Sequence, residues 1–195
     1  MAPLACLSAR VQGGRQWTIV IVDSERVQLE TLDEESLQAL LQTAVADADP
    51  VEVMPPVGGS AGWNGARRQA FLDFHRSRSL VAEPVENTYV IVVDGQVVGA
   101  ARLSVCNADR ELEAGVWIGR SHRGCGVGAA VGSRLLAAAR RAGARRLVAA
   151  TTAENATAQR LLINVGANLV EDPDDKLNLS ATLDLTGVRQ LLYPS

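Results

Sequence analysis

Short runs of β-branched and aliphatic residues, several alternating with polar residues, recur along the chain and predict β-strands. An Asp94-Gly95 pair between two such runs predicts a hairpin turn. The predicted strands cover residues 17–22, 26–31, 88–94, 97–105, 111–118, 146–151, 169–171 and 177–185. The run at 146–151 is predicted to be a buried strand.

Four other stretches repeat apolar residues every three or four positions, which predicts amphipathic helices. The first follows Thr31-Leu32-Asp33-Glu34, which has the form of a capping box, and the second follows Asn64, a favoured N-cap residue. The third follows a glycine-rich segment, and the fourth runs from Asn155 to Gly166. Their apolar positions are Leu37, Leu40, Leu41, Ala44, Val45 and Ala48; Ala70, Phe71, Phe74 and Leu80; Val127, Val131, Leu135, Ala138 and Ala142; and Ala158, Leu161, Leu162 and Val165.

The order of these elements predicts an α+β fold with a single mixed, mostly antiparallel central sheet flanked by about four helices. Between the first two helices, Pro50, Pro55-Pro56 and Gly58-Gly59 predict irregular structure up to about Gly62. The chain of 195 residues fits one domain, expected at 15–195 after a flexible lead at 1–14.

Composition excludes several classes of function. A formal net charge of −3 argues against a general nucleic-acid binder, which needs a basic face to displace counterions from phosphate. Cys6, Cys106 and Cys125 form neither a disulfide framework nor a metal-ligand spacing, which favours reduced thiols, no metal site and a cytoplasmic location. No apolar run approaches the roughly 20 residues that a membrane span requires.

The sharpest chemical signal is Arg123-Gly124-Cys125-Gly126-Val127-Gly128, between a predicted strand and the third helix. Glycines let successive backbone N–H groups converge on one anion. The helix N-terminus adds the positive end of its dipole, and Arg123 can add a charge-assisted hydrogen bond. The segment therefore predicts a site for a pyrophosphate.

The residues alone leave three other interpretations of this segment. A P-loop requires Gly-Lys-Ser/Thr, whereas Gly128-Ala129-Ala130 stands here. A dinucleotide fingerprint tolerates Ala129 as its third small residue, but no acidic residue closes the following strand at 146–151. A tight structural turn is the third interpretation.

Two motifs together resemble the GNAT superfamily of acyl-CoA N-acyltransferases. Arg123, Gly126 and Gly128 stand at the key places of that family's Arg/Gln-x-x-Gly-x-Gly/Ala signature after the central strand. The run from Glu154-Asn155 to Gly166-Ala167 resembles its second cofactor motif. The resemblance spans about 27–185, is specific within 111–166, and is nearest the branch of ribosomal-protein N-terminal and aminoglycoside N-acetyltransferases. It implies the GNAT fold and acetyl-CoA as cosubstrate.

The same resemblance implies which residues contact acetyl-CoA. Backbone groups of the strand would pair with the pantetheine arm, and loop amides would hold the pyrophosphate. Asn155 would contact the arm near its thiol, unless that residue only caps the helix. The implied cofactor residues are Val116, Trp117, Ile118, Arg123, Gly124, Cys125, Gly126, Val127, Gly128, Ala129 and Asn155.

The resemblance also implies a carboxylate base on the strand, and Glu113 is the first candidate. Strand alternation puts Glu111 on the same side, so either could take the amine's proton, or both are solvated charges. Leu162 stands where the family often has a tyrosine acid, so no general acid is assigned. The cysteines are not expected to be nucleophiles, and both histidines, His75 and His122, are expected at the surface.

The acceptor is predicted to be a small-molecule primary amine. An α-amine, or a sugar amine of lowered pKa, is favoured over lysine, because its neutral form costs roughly 1.4 rather than 4–5 kcal/mol at pH 7. The acceptor side, expected at 47–79, carries two kinds of charged residue. Acidic and aromatic residues there suit a cationic aminoglycoside-type antibiotic, whereas arginines suit an acidic protein partner or a solvated helix face. The former are Asp47, Asp49, Glu52, Trp63 and Asp73, and the latter are Arg67, Arg68, Arg76 and Arg78.

Two alternatives remain from the sequence. One is Nα-acetylation of a protein N-terminus, and the other is a non-catalytic acyl-CoA-binding regulator. Neither a nucleic acid nor a membrane is expected as a partner. A homodimer is allowed by analogy with the family.

Overall fold

The computed structural model describes residues 22–59, 61–107, 109–172 and 175–186. The predicted lead at 1–14, and all of the predicted strand at 17–22 except Val22, lie outside these residues. The α-helices are α1 (Glu34–Asp47), α2 (Pro50–Val53), α3 (Gly65–Ser79), α4 (Val127–Arg141) and α5 (Ala156–Asn164). The strands are β1 (Val27–Thr31), β2 (Glu86–Val93), β3 (Gln96–Asn107), β4 (Glu111–Ile118), β5 (Arg146–Thr152), β6 (Asn168–Glu171) and β7 (Asn178–Asp184). Short 3-10 helices cover Ser24–Arg26 and Arg120–His122.

Among the described residues, the strands form a seven-stranded sheet in the order β1-β2-β3-β4-β5-β7-β6. β1 pairs with β2, and β7 with both β5 and β6, in antiparallel fashion, whereas β4 and β5 are parallel. The predicted hairpin is confirmed, since Asp94 and Gly95 both have the positive φ of a tight two-residue turn (51° and 77°). The predicted α+β class with one mixed sheet is therefore confirmed.

The described residues divide into two compact units. The first contains the residues up to 101 together with Val116–Val131, and the second contains Arg102–Gly115 and the residues from 132 onwards. The core of the first unit forms where α1 and α3 pack on β2, with Leu37, Leu40, Phe71 and Val90 fully buried. The predicted apolar positions of the first helix are confirmed, since Leu37, Leu40, Ala44 and Ala48 are buried and Leu41 and Val45 are half-buried.

Two details of the first unit differ from the sequence prediction. The N-cap of α1 is Asp33, not Thr31, and its capping box is completed by Ser36, whose hydroxyl accepts a hydrogen bond from the Asp33 amide (2.9 Å). Within the stretch predicted to be irregular, Pro50 begins the short helix α2 with Asp49 as its N-cap. Proline at the first position and an acidic N-cap are common at helix starts. A single turn is, however, too short to show the apolar periodicity by which a helix is recognised in sequence.

Helix α3 buries two polar residues that were expected at the surface. His75 is 3% exposed and packs edge-on against Phe71 and Phe74. Arg67 is 7% exposed, and its guanidinium donates to the carbonyls of Gly62 (2.5 Å) and Val57 (3.0 Å). Neither interpretation of the arginines, as a surface for an acidic partner or as a solvated helix face, is correct for Arg67, which instead supplies donors to loop carbonyls.

The second unit is less buried than its pattern predicts. In β5 only Thr151 is buried, so the expectation of a buried strand is wrong. The predicted cap of α5 is correct, since the Asn155 side chain accepts from the Ala158 amide (3.1 Å), but no residue of α5 is fully buried. The apolar spacing of α5 therefore marks a half-buried face.

This difference in burial gives a testable contrast in stability. Leu40→Ala should lower the free energy of unfolding by about 2–5 kcal/mol, because Leu40 is fully buried and its loss leaves a cavity. Leu162→Ala should cost less than about 1.5 kcal/mol, since Leu162 is only half-buried. Denaturant unfolding of both variants measures the difference. Equal losses would contradict the burial assigned to α5.

Candidate active site

The glycine-rich segment lies in the first unit, between the end of β4 and the start of α4. Gly124 and Gly126 have φ angles of 78° and 93°, a left-handed conformation that glycine adopts without strain. The amides of Ala129 and Ala130 donate to the Gly126 carbonyl (3.1 and 3.2 Å), so the helical hydrogen bonds begin there. The N–H groups just before that point have no acceptor within the helix, which makes this end of α4 an electropositive backbone site.

Cys125 anchors the segment from its buried side. Its side chain is almost fully buried, and the thiol donates to the His122 carbonyl (3.0 Å). The Cys125 carbonyl also accepts from the Val22 amide (2.8 Å). Burial in this position suits a packing role, in agreement with the expectation that Cys125 is not a nucleophile.

Arg123 is held by two acceptors of the same unit. Its Nε donates to the Ile118 carbonyl (2.8 Å), and its Nη2 donates to the Glu52 carboxylate (2.8 Å). The other Glu52 oxygen accepts from Arg120 at 3.4 Å. The hydrogen bond from Arg123 is the main cause that lowers the pKa of Glu52, against an opposing effect of burial. This contribution to stability is present above the ordinary carboxyl pKa and is lost as pH falls through the lowered value.

Asp47, the last residue of α1, contacts the residues before the glycines. Its carboxylate accepts from the Ser121 amide (3.0 Å) and from the Ser121 hydroxyl. It also lies so close to Gly119 that a Cβ there would collide with it. Asp47 thereby caps the 3-10 helix Arg120–His122, whose own N-cap residue is Gly119.

The remaining acidic and aromatic groups expected on the acceptor side also have partners inside the first unit. Asp49 accepts from the Val51 amide (3.1 Å), Asp73 accepts from Gln69 (2.8 Å), and the Trp63 indole donates to the Ala48 carbonyl (3.0 Å). These acidic side chains therefore form separate local contacts and not a continuous negatively charged surface. The charge argument for a polycationic acceptor is therefore weakened.

The second unit holds both candidate catalytic carboxylates. Glu113 accepts from Arg102 Nη2 (2.8 Å), and Arg102 Nη1 donates to the Ser104 hydroxyl (3.0 Å). The Arg102 side chain also crosses Gly115, where a Cβ would lie 2.6 Å from its Nε. Arg102 thus orients Glu113 from the neighbouring strand, and the glycine at 115 makes room for it.

Glu111 lies on the same face but is more enclosed. It pairs with Arg146 (3.1 Å), and its side chain is 17% exposed, against 41% for Glu113. Partial burial, and then the charges of Glu113 and Glu111, raise the pKa of Cys106. A thiol kept protonated is a poor nucleophile, in agreement with the expectation that Cys106 is not one. Of the two carboxylates, Glu113 is the more accessible.

Pairing between the two strands that carry these residues stops at Glu113. Parallel pairing joins Glu111↔Arg146, Leu112↔Leu147 and Glu113↔Val148 and ends there, although β4 and β5 both continue. β5 goes on pairing with β7 as far as Thr152. In the described part of the second unit, Ala114 and Gly115 thus have no β5 partner, which leaves backbone groups for an added strand.

The structure divides the residues predicted from the sequence between the two units. Val116, Trp117, Ile118 and the glycine loop belong to the first unit, and Glu111, Glu113 and Asn155 belong to the second. The sequence prediction missed Arg102 and Ser104. Their signal was the period-two pattern of β3, which puts Arg102, Ser104 and Cys106 on one face of the strand that precedes Glu111 and Glu113.

Comparison with known proteins confirms the family that the two motifs resemble. Residues 55–166 match the family model described as the acetyltransferase (GNAT) family. No curated protein sequence matches the chain. The chain belongs to the GNAT acetyltransferase family.

Solved structures share this fold at low sequence identity. One is yncA from Salmonella typhimurium with its cofactor acetyl-CoA (21% identity, TM-score 0.60, 84% of this chain and 96% of that chain covered). Another is Campylobacter jejuni N-acetyltransferase PseH in complex with acetyl coenzyme A (13%, 0.60, 82% and 99%). A third is the spermidine/spermine N-acetyltransferase SpeG from Vibrio cholerae, in mutant forms (13%, 0.61, 82% and 94%).

In the described part of the chain, no helix is both long and apolar enough to cross a membrane.

Proposed function

We propose that this protein transfers the acetyl group of acetyl-CoA to a primary amine of a small molecule. The observation that carries the proposal is the glycine loop, whose left-handed glycines at 124 and 126 precede α4 directly after β4. That loop lies within the residues that match the acetyltransferase family. Acetyl-CoA is the cosubstrate of this acyl transfer.

The loop and the strand before it supply the proposed cofactor contacts. Backbone amides from Gly124 to Gly128 are assigned to the pyrophosphate, with Ala129 contributing less because its amide donates to Gly126. The backbone of Val116, Trp117 and Ile118 is assigned to the pantetheine arm. Asn155, whose side chain caps α5, is assigned a contact near the thiol end.

Glu113 is proposed to take the proton of the attacking amine. The amine nitrogen forms a bond to the thioester carbonyl carbon, the C–S bond breaks, and the CoA thiolate leaves. Glu113 accepts the amine proton through the carboxylate oxygen that Arg102 does not hold. Leucine at 162 donates no proton, but a thiol pKa of roughly 8.5 makes the thiolate a tolerable leaving group at neutral pH.

The acceptor is proposed to be an amine that loses its proton readily, such as an α-amine or a sugar amine. A single strand carboxylate is better matched to such amines than to lysine. The most specific form of this proposal is that the acceptor is an aminoglycoside-type antibiotic and that the protein has a role in antibiotic resistance. Its support from acidic residues is reduced by the partners of Asp47, Glu52 and Asp73. The location is proposed to be cytoplasmic, with a homodimer as one arrangement.

Release of free CoA thiol from acetyl-CoA, with and without a panel of amines, tests the proposal. The panel should contain amino acids, polyamines, aminoglycosides and short peptides with free N-termini. Amine-dependent thiol release with small molecules is expected. Turnover only with peptides would favour Nα-acetylation of proteins, and acetyl-CoA binding without turnover on any amine would favour a non-catalytic regulator.

A further inference from the structure

We propose that Asp47 and Glu52 are positioning residues for acetyl-CoA, which hold the start of the glycine loop against α1 and α2. In this proposal Arg123 acts with Glu52 as a latch and not as a direct ligand of phosphate. We call Asp47, Glu52, Ser121 and Arg123 the loop clamp. The inference rests on the proposed function, since it concerns how the same loop binds the same cosubstrate.

The Asp47 half of the clamp fixes the backbone. Its carboxylate accepts hydrogen bonds from both the amide and the hydroxyl of Ser121. Only a glycine at position 119 leaves room for the carboxylate, because a Cβ there would collide with it. A carboxylate in the last turn of a helix faces the negative end of the helix dipole, and α1 has no basic residue there. The bonds to Ser121 offset that cost, and they tie the 3-10 helix Arg120–His122 to α1.

The Glu52 half fixes the side chain of Arg123. The guanidinium already satisfies a strand carbonyl, that of Ile118, and a carboxylate, that of Glu52. To reach a phosphate it would have to exchange one charge-assisted hydrogen bond for another, with little net gain. Left in place, it joins the end of β4 to α2 directly before the glycines.

The clamp therefore preorganises the backbone amides that face the cofactor. A loop already held in its binding shape loses less conformational freedom on binding, so its affinity is higher. It follows that Asp47 and Glu52, which have no predicted contact with acetyl-CoA, should control its affinity mainly through the loop amides that bind the pyrophosphate.

A double-mutant cycle on Glu52 and Arg123 tests this by calorimetry with CoA. Glu52→Gln and Arg123→Gln should each raise Kd by about three- to tenfold, and the double variant should be no worse than the weaker-binding single variant. Asp47→Asn should weaken binding independently, and it serves as the second probe if a Glu52 variant folds poorly. Glu34→Gln is the matched control, because it removes a Glu–Arg pair of the same unit outside the clamp.

A truncated donor separates positioning from general damage. S-acetylpantetheine lacks the pyrophosphate, so the loss of kcat/KM in Glu52→Gln, relative to the unaltered protein, should be several-fold smaller with this donor than with acetyl-CoA. An equal loss with both donors would overturn the positioning role. Tighter CoA binding by Glu52→Gln, or additive losses in the double variant, would overturn the latch and indicate that Arg123 binds phosphate directly. Unchanged Kd in all clamp variants would overturn the clamp while the proposed function stands. Failure of the unaltered protein to bind CoA would instead defeat the proposed function itself.

Discussion

Gly126→Val is expected to abolish acetyl-CoA binding. Gly126 has a φ of 93°, where a β-branched residue is strongly disfavoured, and its side chain would also stand where the backbone meets the phosphate. Displacing the loop amides removes several charge-assisted hydrogen bonds at once, each contributing on the order of 1.5–3 kcal/mol. Calorimetry with CoA measures the loss.

Gly59→Val controls for backbone strain in this experiment. Gly59 also has a positive φ (109°), and a Cβ there would meet nothing within 4 Å. Both variants should therefore show a lowered melting temperature, but only Gly126→Val should lose CoA binding. Unchanged CoA affinity in Gly126→Val would refute the assignment of the loop to the pyrophosphate.

Glu113→Gln is expected to lower kcat by roughly 10²–10⁴-fold near neutral pH while leaving acetyl-CoA affinity unchanged. The amide keeps the shape of the side chain but cannot take a proton. The loss should shrink as pH rises, because the amine is then increasingly neutral before it binds. A pH–rate profile with a saturating amine measures both effects.

Glu111→Gln is the internal control for Glu113, since both residues lie on one face of β4 and each pairs with an arginine. It should have the smaller effect on kcat, because Glu111 is more enclosed and pairs with Arg146. A larger loss from Glu111→Gln would identify Glu111, two residues earlier on the strand, as the general base. Unaltered pH–rate profiles in both variants would show that these carboxylates are structural charges, and that catalysis depends on positioning of the thioester.

Much of the fold could be predicted because its signals are local. The strand at Glu111–Ile118 was predicted with the same bounds as the structure has, and Asn64 and Asn155 were identified correctly as helix caps. Each depends on a few neighbouring residues, either an alternation or a side chain that bonds to an amide three positions on. The cap of α1 was misplaced because Thr31 and Asp33 both suit that role, and only the end of β1 decides between them.

Burial and long-range partners were harder to predict. The apolar runs of β5 and α5 indicate a strand and a helix, but they do not indicate how deeply each element is buried. Only Thr151 of β5, and no residue of α5, is fully buried. Glu52 was interpreted as an acceptor-side charge because its partner Arg123 is distant in sequence. His75 was expected at the surface because the sequence does not show that Phe71 and Phe74 bury it once α3 packs on the sheet.

Arg67 makes the irregular stretch before α3 suitable for engineering. One buried guanidinium gathers the carbonyls of Val57 and Gly62, so the shape of this loop is set from inside the molecule. Pro55 and Pro56, by contrast, are both exposed. A library that randomises the exposed positions and keeps Arg67 should display new surfaces on a constant backbone. Changes in loop length should require compensation at Arg67.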